Sequence, residues 1–125
     1  MKPFIVIACL LLAVPAIHAA EPPEKFPDFA LMDKDKAAVV ARKQAEADFA
    51  AGHYRILVFG MRSTEGDKGF AKDGVEVKVI AGCVVNDGIL DGARIYNEIM
   101  RAKLKAKLGR DIFAGKDPTE SIPPK

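Results

Sequence analysis

This chain of 125 residues has few of the side chains that crosslink a small protein or bind a metal. It contains two cysteines, two histidines and no tryptophan, and only Cys83 and His53 lie beyond residue 20. One cysteine cannot form an internal disulfide. A structural zinc site built from cysteine and histidine would need about four such ligands. The sequence therefore predicts no metal, no cofactor, and a fold that depends on apolar packing or on contacts with a partner.

The N-terminal residues follow the order of a secretory signal peptide. Lys2 gives a basic start, residues 4–17 carry no charge, and small residues lead up to Ala20. The apolar run is shorter than the about 20 residues of a membrane-spanning helix, so we expect a signal peptide at 1–20. The alternative is an uncleaved anchor, because His18 occupies a position before the cut where a small residue is preferred.

Charge and length limit the partners. Beyond residue 20 the chain has one more basic than acidic residue, and its length suits one small domain. A net charge near zero gives no indication of nucleic acid or of an anionic membrane. We therefore expect no nucleic-acid partner, and no stable membrane span unless the signal is uncleaved. The expected location is the periplasm or the extracellular medium.

Proline marks the ends of the predicted domain. Residues 21–32 contain three prolines, which is typical of an extended tether. Residues 114–125 contain three more, which indicates a flexible C-terminal tail. The α+β domain is expected between them, at 33–113.

The pattern within the domain predicts two helices and two strands. An alanine-rich segment at 33–51, with Asp33 or Asp35 as its cap, indicates the first helix. Segments 53–61 and 75–85 are rich in β-branched residues and predict strands. Residues 90–108 have an apolar stripe at helical spacing and end before Gly109.

This order predicts a small α+β fold, helix-strand-strand-helix, with an antiparallel sheet. A lone two-stranded sheet is marginally stable in water. Either a third strand lies within 62–74 or 110–113, or two chains join their sheets in a homodimer.

Cys83 and His53 are the candidates for catalysis. Cys83 precedes a helix, and His53 begins a strand that we expect to pair with the strand of Cys83, so a thiol-imidazole pair is one hypothesis. Against it, Cys83 shares the parity of Val75, Val77 and Val79, which predicts a buried core cysteine. An intermolecular disulfide is the other alternative.

The last predicted helix has a basic end that offers a second candidate site. Its cations are Arg101, Lys103, Lys105, Lys107 and Arg110, with no acid from Ile99 to Arg110. A functional interpretation is an anion-binding face for a polyanion of the cell envelope. The structural interpretation is that cations near a helix C-terminus complement its dipole.

Motifs of known chemistry are absent from the sequence. There is no Gly-Lys-Ser or Gly-Lys-Thr, no Gly-x-Ser-x-Gly and no His-Glu-x-x-His. The first hypothesis is therefore an exported binding or structural domain without recognisable catalytic machinery. The alternatives are a thiol-dependent enzyme that uses Cys83 and His53, and a polyanion binder that uses the basic helix end.

Overall fold

The computed structural model of the protein describes residues 25–61 and 67–119. Its elements, in chain order, are a 3-10 helix at Phe29–Leu31, helix α1 at Lys34–Ala50, strand β1 at Tyr54–Phe59, helix α2 at Lys68–Ala71, strand β2 at Val75–Ala81 and helix α3 at Asp87–Leu108. The predicted signal peptide at 1–20 lies outside the described residues.

The two strands are parallel. Tyr54 lies opposite Val75, and Val58 lies opposite Val79. The small α+β class is confirmed, but the predicted antiparallel sheet is wrong, and so is the order helix-strand-strand-helix, because α2 lies between the strands. Parallel pairing needs a crossover of about a dozen or more residues, and residues 60–74 provide that length. The described residues form no third strand.

Helix α1 is specified by its cap and by small side chains. The Asp33 side chain accepts a hydrogen bond from the backbone N–H of Lys36 at 2.8 Å, which confirms one of the two predicted caps. Ala37, Ala41 and Ala45 are fully buried, and α1 packs mainly against α3. These small residues allow the two helix backbones to approach closely.

Helix α3 supplies the central apolar stripe. Its buried residues include Ile89, Ala93, Tyr96, Met100 and Leu104, as the helical spacing predicts. The helix ends at Gly109 in the left-handed conformation, with φ of 70°. It starts earlier than predicted, since the side chain of Asn86 caps it by accepting from the N–H of Ile89 at 3.0 Å.

Strand β1 is covered on both faces. Ile56, Leu57 and Val58 are consecutive and all buried, although their side chains alternate between the two faces. α3 and α1 pack against β1, whereas α2 packs against β2. β2 is the more exposed strand, with Val79 about half exposed at 51%.

The segment before α1 packs against the domain. Phe29 is 2% exposed, and a Cβ added at Gly92 would lie 2.7 Å from the Phe29 ring. The ring of Phe26 meets those of Phe29 and Tyr96 edge-on at 6.0 and 5.8 Å. The packed region therefore begins before residue 33.

Strand β2 ends earlier than its composition predicts. Val58 pairs with Val79 but Phe59 pairs with Ala81, so Ile80 is an extra residue in β2. The bulge therefore lies at Ile80, two residues before Gly82. Cys83 follows the end of the strand and is exposed, and the prediction of a buried core cysteine is wrong. The bulge and the early strand end break the alternation on which that prediction depended.

Candidate functional site

A cavity of about 520 Å³ lies between β1 and the N-terminal half of α3. Its apolar lining is Leu57, Val58, Phe59, Leu90, Ala93 and Pro118, and its polar lining is Asp91, Arg94, Asn97, Glu98, Arg101 and Thr119. Most small-molecule sites have volumes of about 300–1,000 Å³ and a similar mixture of apolar walls with a few polar groups. This cavity is the candidate functional site.

The Asn97 side chain closes the middle of the open edge of β1. Its Oδ1 accepts from the backbone N–H of Leu57 at 2.7 Å, and its Nδ2 donates to the Leu57 carbonyl at 2.8 Å. Both bonds are buried, and Asn97 is 8% exposed. An amide that donates and accepts in this way reproduces the hydrogen bonds of a neighbouring strand, so Leu57 is satisfied without one.

The same edge continues towards the cavity at Phe59. Peptide groups along a strand point alternately to its two edges. The N–H of Gly60 donates to the carbonyls of Ala81 and Gly82 at 3.1 Å, so Gly60 faces β2. Phe59 therefore faces the same edge as Leu57, and its peptide groups lie beside the cavity that Phe59 lines.

The rim of the cavity carries paired charges of both signs. Arg94 lies 3.5 Å from a carboxylate oxygen of Asp91 and 3.8 Å from one of Glu98. The Arg94 side chain is 63% exposed, so each ion pair contributes at most about 0.5 kcal/mol. The one excess carboxylate at this exposed rim disfavours an anionic ligand and attracts a cation only weakly.

Arg101 joins the cavity wall to the segment after α3. Its guanidinium donates to both carboxylate oxygens of Asp117 and to the hydroxyl of Thr119. Its Cζ lies 4.9 Å from the centroid of the Phe113 ring. Partial burial alone would raise the pKa of Asp117, but the hydrogen bonds from Arg101 and Thr119 outweigh it and hold that pKa below its usual value. This ion pair holds Pro118 and Thr119 against the cavity.

A buried polar cluster supports α3 from behind. The carboxylate of Asp48 accepts from the Tyr96 hydroxyl at 2.6 Å, from Arg55 at 3.1 Å and from Gln44 at 2.8 Å. Burial, together with the hydrogen bond to Asp48, raises the pKa of Tyr96 well above its usual value. The cluster fixes α1, β1 and α3 relative to one another, which positions the cavity walls.

The structure does not bring Cys83 and His53 together. In a parallel pair, the residue before β1 and the residues after β2 lie at opposite ends of the sheet. His53 precedes Tyr54, whereas Cys83 follows Ala81, so the separation along the strands is roughly 20 Å or more. Both residues are exposed, and neither lines the cavity.

The predicted basic face is divided among separate partners. Arg101 pairs with Asp117, and Arg110 pairs with Asp73 at 2.6 Å. Lys103 contacts Glu46 at 2.8 Å and lies over the Phe49 ring, while Lys107 lies over the Tyr54 ring. Only Lys105, among these five cations, has no partner within the described part of the chain. Four of the five cations are therefore engaged with side chains of the same domain.

The described residues contain neither a metal-binding cluster nor a membrane-spanning helix. Within 25–61 and 67–119, no three histidine, cysteine or acidic side chains come close enough to hold a metal ion. In the same ranges, every helix is too short or too polar to span a bilayer.

Sequence reasoning missed the residues that shape the site. Asn97 and Asp48 are single polar residues within helices, and each occupies a position where the helical spacing would place an apolar side chain facing the core. That mismatch was the available signal, because a buried polar residue needs a specific partner. The partner itself cannot be identified from spacing alone.

Comparison with known proteins gives no guide to the site. The chain matches no protein-family model, no curated protein and no solved structure. We therefore infer function from the geometry of this molecule.

Proposed function

We propose that this chain is a small exported binding domain that holds an uncharged, mainly apolar ligand between β1 and α3. The observation that carries the proposal is the cavity of about 520 Å³, whose apolar wall continues directly into the buried core at Leu57 and Ala93. An apolar ligand on this wall would remove apolar surface from water, which favours binding.

The distribution of charge supports an uncharged ligand. At the rim Arg94 pairs with both Asp91 and Glu98, and Arg101 pairs with Asp117. Burying an anionic ligand against an apolar wall would need a cation, and both arginines already have carboxylate partners. The extra carboxylate offers little to a buried cation, because the Glu98 side chain is 75% exposed to water. A polar atom at one end of the ligand would instead meet the Thr119 hydroxyl or the peptide groups of Phe59.

The walls are fixed before a ligand arrives. Asn97 is held by two buried hydrogen bonds to Leu57, and Arg101 is held by Asp117 and Thr119. Side chains that are already ordered lose little conformational entropy on binding. This preorganisation favours a binding role for the cavity.

The layout of residues 1–20 supports the exported location. A basic start, an uncharged apolar run and small residues at the exit are the features that a secretion system reads. Mass spectrometry of the protein from the expressing host tests this part: a mature chain that begins near Glu21 supports it, and retention of Met1 in the cell contradicts it.

Binding is tested with a neutral environment-sensitive dye, Nile red, and two matched variants. Leu90→Asp places a charge at the cavity mouth, where Leu90 is 45% exposed. Leu31→Asp makes the same change at a residue that is 83% exposed and does not line the cavity. We expect Leu90→Asp to weaken dye binding about tenfold or more, because the bound dye would bury the new carboxylate. Leu31→Asp should leave dye binding unchanged.

The amide chemical shifts of the protein, measured by NMR as the dye is added, locate the bound dye. Shifts should concentrate at Leu57–Phe59 and along the first half of α3. Equal loss of binding in both variants, or shifts away from these residues, would contradict the proposal.

A further inference from the structure

The outer edge of β2 is open in the described part of the chain. In a parallel pair of strands, the peptide groups of a residue bond to the two residues that flank the residue opposite it. Ile56 lies opposite Val77 and faces β2, because it alternates with Leu57, which faces Asn97. The peptide groups of Glu76 and Lys78 therefore face β1, and those of Val77 point away from it.

Val75 and Val79 share the outward orientation of Val77. No hydrogen bond joins the peptide groups of these three valines at the outer edge to another described residue. Such an edge pairs readily with another strand, and a two-stranded sheet gains stability from a further one. The regular part of the edge is Val75–Val79, since the bulge at Ile80 ends it.

We propose that a second copy of this chain pairs with this edge, with the two β2 strands antiparallel about a twofold axis through Val77. Val77 then lies opposite the partner subunit's Val77, and Val75 lies opposite the partner subunit's Val79. Each of these outward-facing positions exchanges both its N–H and its C=O bonds with the opposite residue. The inference is independent of the proposed ligand, because the cavity lies on the far side of β1.

Charge complementarity identifies a second copy as the occupant. In this register Glu76 lies opposite the partner subunit's Lys78, and the twofold axis repeats the pair. Both are at positions without backbone bonds between the strands, where opposite Cα atoms are only about 4.5 Å apart. Opposite charges at such positions stabilise pairing, and like charges destabilise it.

The same charges oppose the neighbouring registers. The two β2 strands could also pair one step out of this register. If their outward peptide groups still face each other, the twofold axis then passes through Lys78 or through Glu76. The first places lysine opposite lysine, and the second places glutamate opposite glutamate. Only the axis through Val77 pairs each of these charges with its opposite.

The exposure of these side chains is consistent with such an interface. Glu76 is 61% exposed although it accepts a bond from Arg55 at 3.2 Å, so its carboxylate has room for a second cation. Val79 is 51% exposed, so it is accessible to a partner subunit. The sheet would then run through both copies in the order β1-β2-β2-β1.

The test is the molar mass of the protein by sedimentation equilibrium over a range of concentrations. A reductant is present throughout, so that a disulfide through the exposed Cys83 does not contribute. We expect twice the mass of one chain at high concentration and dissociation on dilution. A single-chain mass at every concentration would overturn the proposal.

Charge reversal tests the register. Lys78→Glu places two glutamates opposite each other at both symmetry-related sites, and we expect dimer affinity to fall about tenfold. The double variant Glu76→Lys with Lys78→Glu is complementary again and should recover most of that affinity. An unchanged affinity in Lys78→Glu, or no recovery in a folded double variant, would overturn the register.

A matched pair of lysine substitutions tests the surface. Val79→Lys and Val39→Lys replace valines of similar exposure, 51% and 56%, and only Val79 lies on β2. We expect a weaker dimer for Val79→Lys and no change for Val39→Lys. Equal effects of the two substitutions would contradict an interface on β2.

Discussion

The amide of Asn97 pairs with both backbone polar groups of Leu57, at 2.7 and 2.8 Å. A helix side chain thereby takes the place of a neighbouring strand in the middle of a sheet edge. This one residue explains how β1 can lie buried at the end of a two-stranded sheet beside an apolar cavity.

Asn97→Leu removes both of these hydrogen bonds while keeping a similar volume. The N–H and C=O of Leu57 are then buried without partners, and we expect the free energy of unfolding to fall by about 2–4 kcal/mol. Urea denaturation measures it. Glu98→Gln, at the exposed neighbouring position, should change it by less than about 0.5 kcal/mol. An Asn97→Leu variant as stable as the wild type would show that water or another group replaces the amide.

Asn97→Asp should make the stability of the protein depend on pH. A carboxylate at this position can accept a hydrogen bond from the Leu57 N–H but repels the Leu57 carbonyl oxygen. The protonated acid can accept from the N–H and donate to the carbonyl. Burial raises the pKa of such a carboxyl in the folded state. The variant should therefore be closest to wild-type stability in acid and should lose stability as the pH rises, in denaturation curves at matched pH.

Tyr96 links the buried cluster to alkaline stability. Because its pKa in the folded protein lies above the usual 10.0, folding keeps the phenol protonated. This contribution to stability is complete below pH 10.0 and is lost as the pH rises beyond it. In a Tyr54→Phe background Tyr96 is the only tyrosine, and its ionisation, followed by tyrosinate absorbance, should coincide with unfolding. Ionisation of Tyr96 in a protein that stays folded would contradict this.

Gly92 allows the Phe29 ring to lie directly on α3. Alanine normally favours a helix over glycine by about 1 kcal/mol, but a Cβ here would meet the ring at 2.7 Å. We expect Gly92→Ala to destabilise the protein by about 1–3 kcal/mol. Gly69→Ala, in α2, has no atom within 4 Å of its new methyl group and should be neutral or slightly stabilising. Thermal denaturation of both variants makes the comparison.

Asp117 should make the segment after α3 sensitive to acid. Its pKa in the folded protein is held below 3.8, so the ion pair with Arg101 contributes stability above that pH. That contribution is lost as the pH falls. NMR signals of Phe113 and Thr119 should shift in strong acid before global unfolding. Asp117→Asn should show those shifts at neutral pH. An acid titration that leaves both signals in place would contradict the role of the pair.

Local chemistry determined the helices and strands of this chain. Asp33 caps α1, and Gly109 ends α3 where a glycine best adopts the left-handed conformation. The apolar stripe of α3 was readable because helical geometry places those residues on one face. These features depend on neighbours within a few residues, so the amino-acid sequence alone was sufficient to predict them.

Tertiary structure decided the direction of the strands, the exposure of Cys83 and the partners of the buried polar groups. Parallel pairing arises from a crossover whose path no local pattern specifies. Asn97 and Leu57 are 40 residues apart, and Asp48 and Tyr96 are 48 apart. Contacts between residues so distant in the chain form only when packing brings whole elements together. For that physical reason the sequence determined the two long helices and the two strands, and only the folded structure determined how they pair and what they enclose.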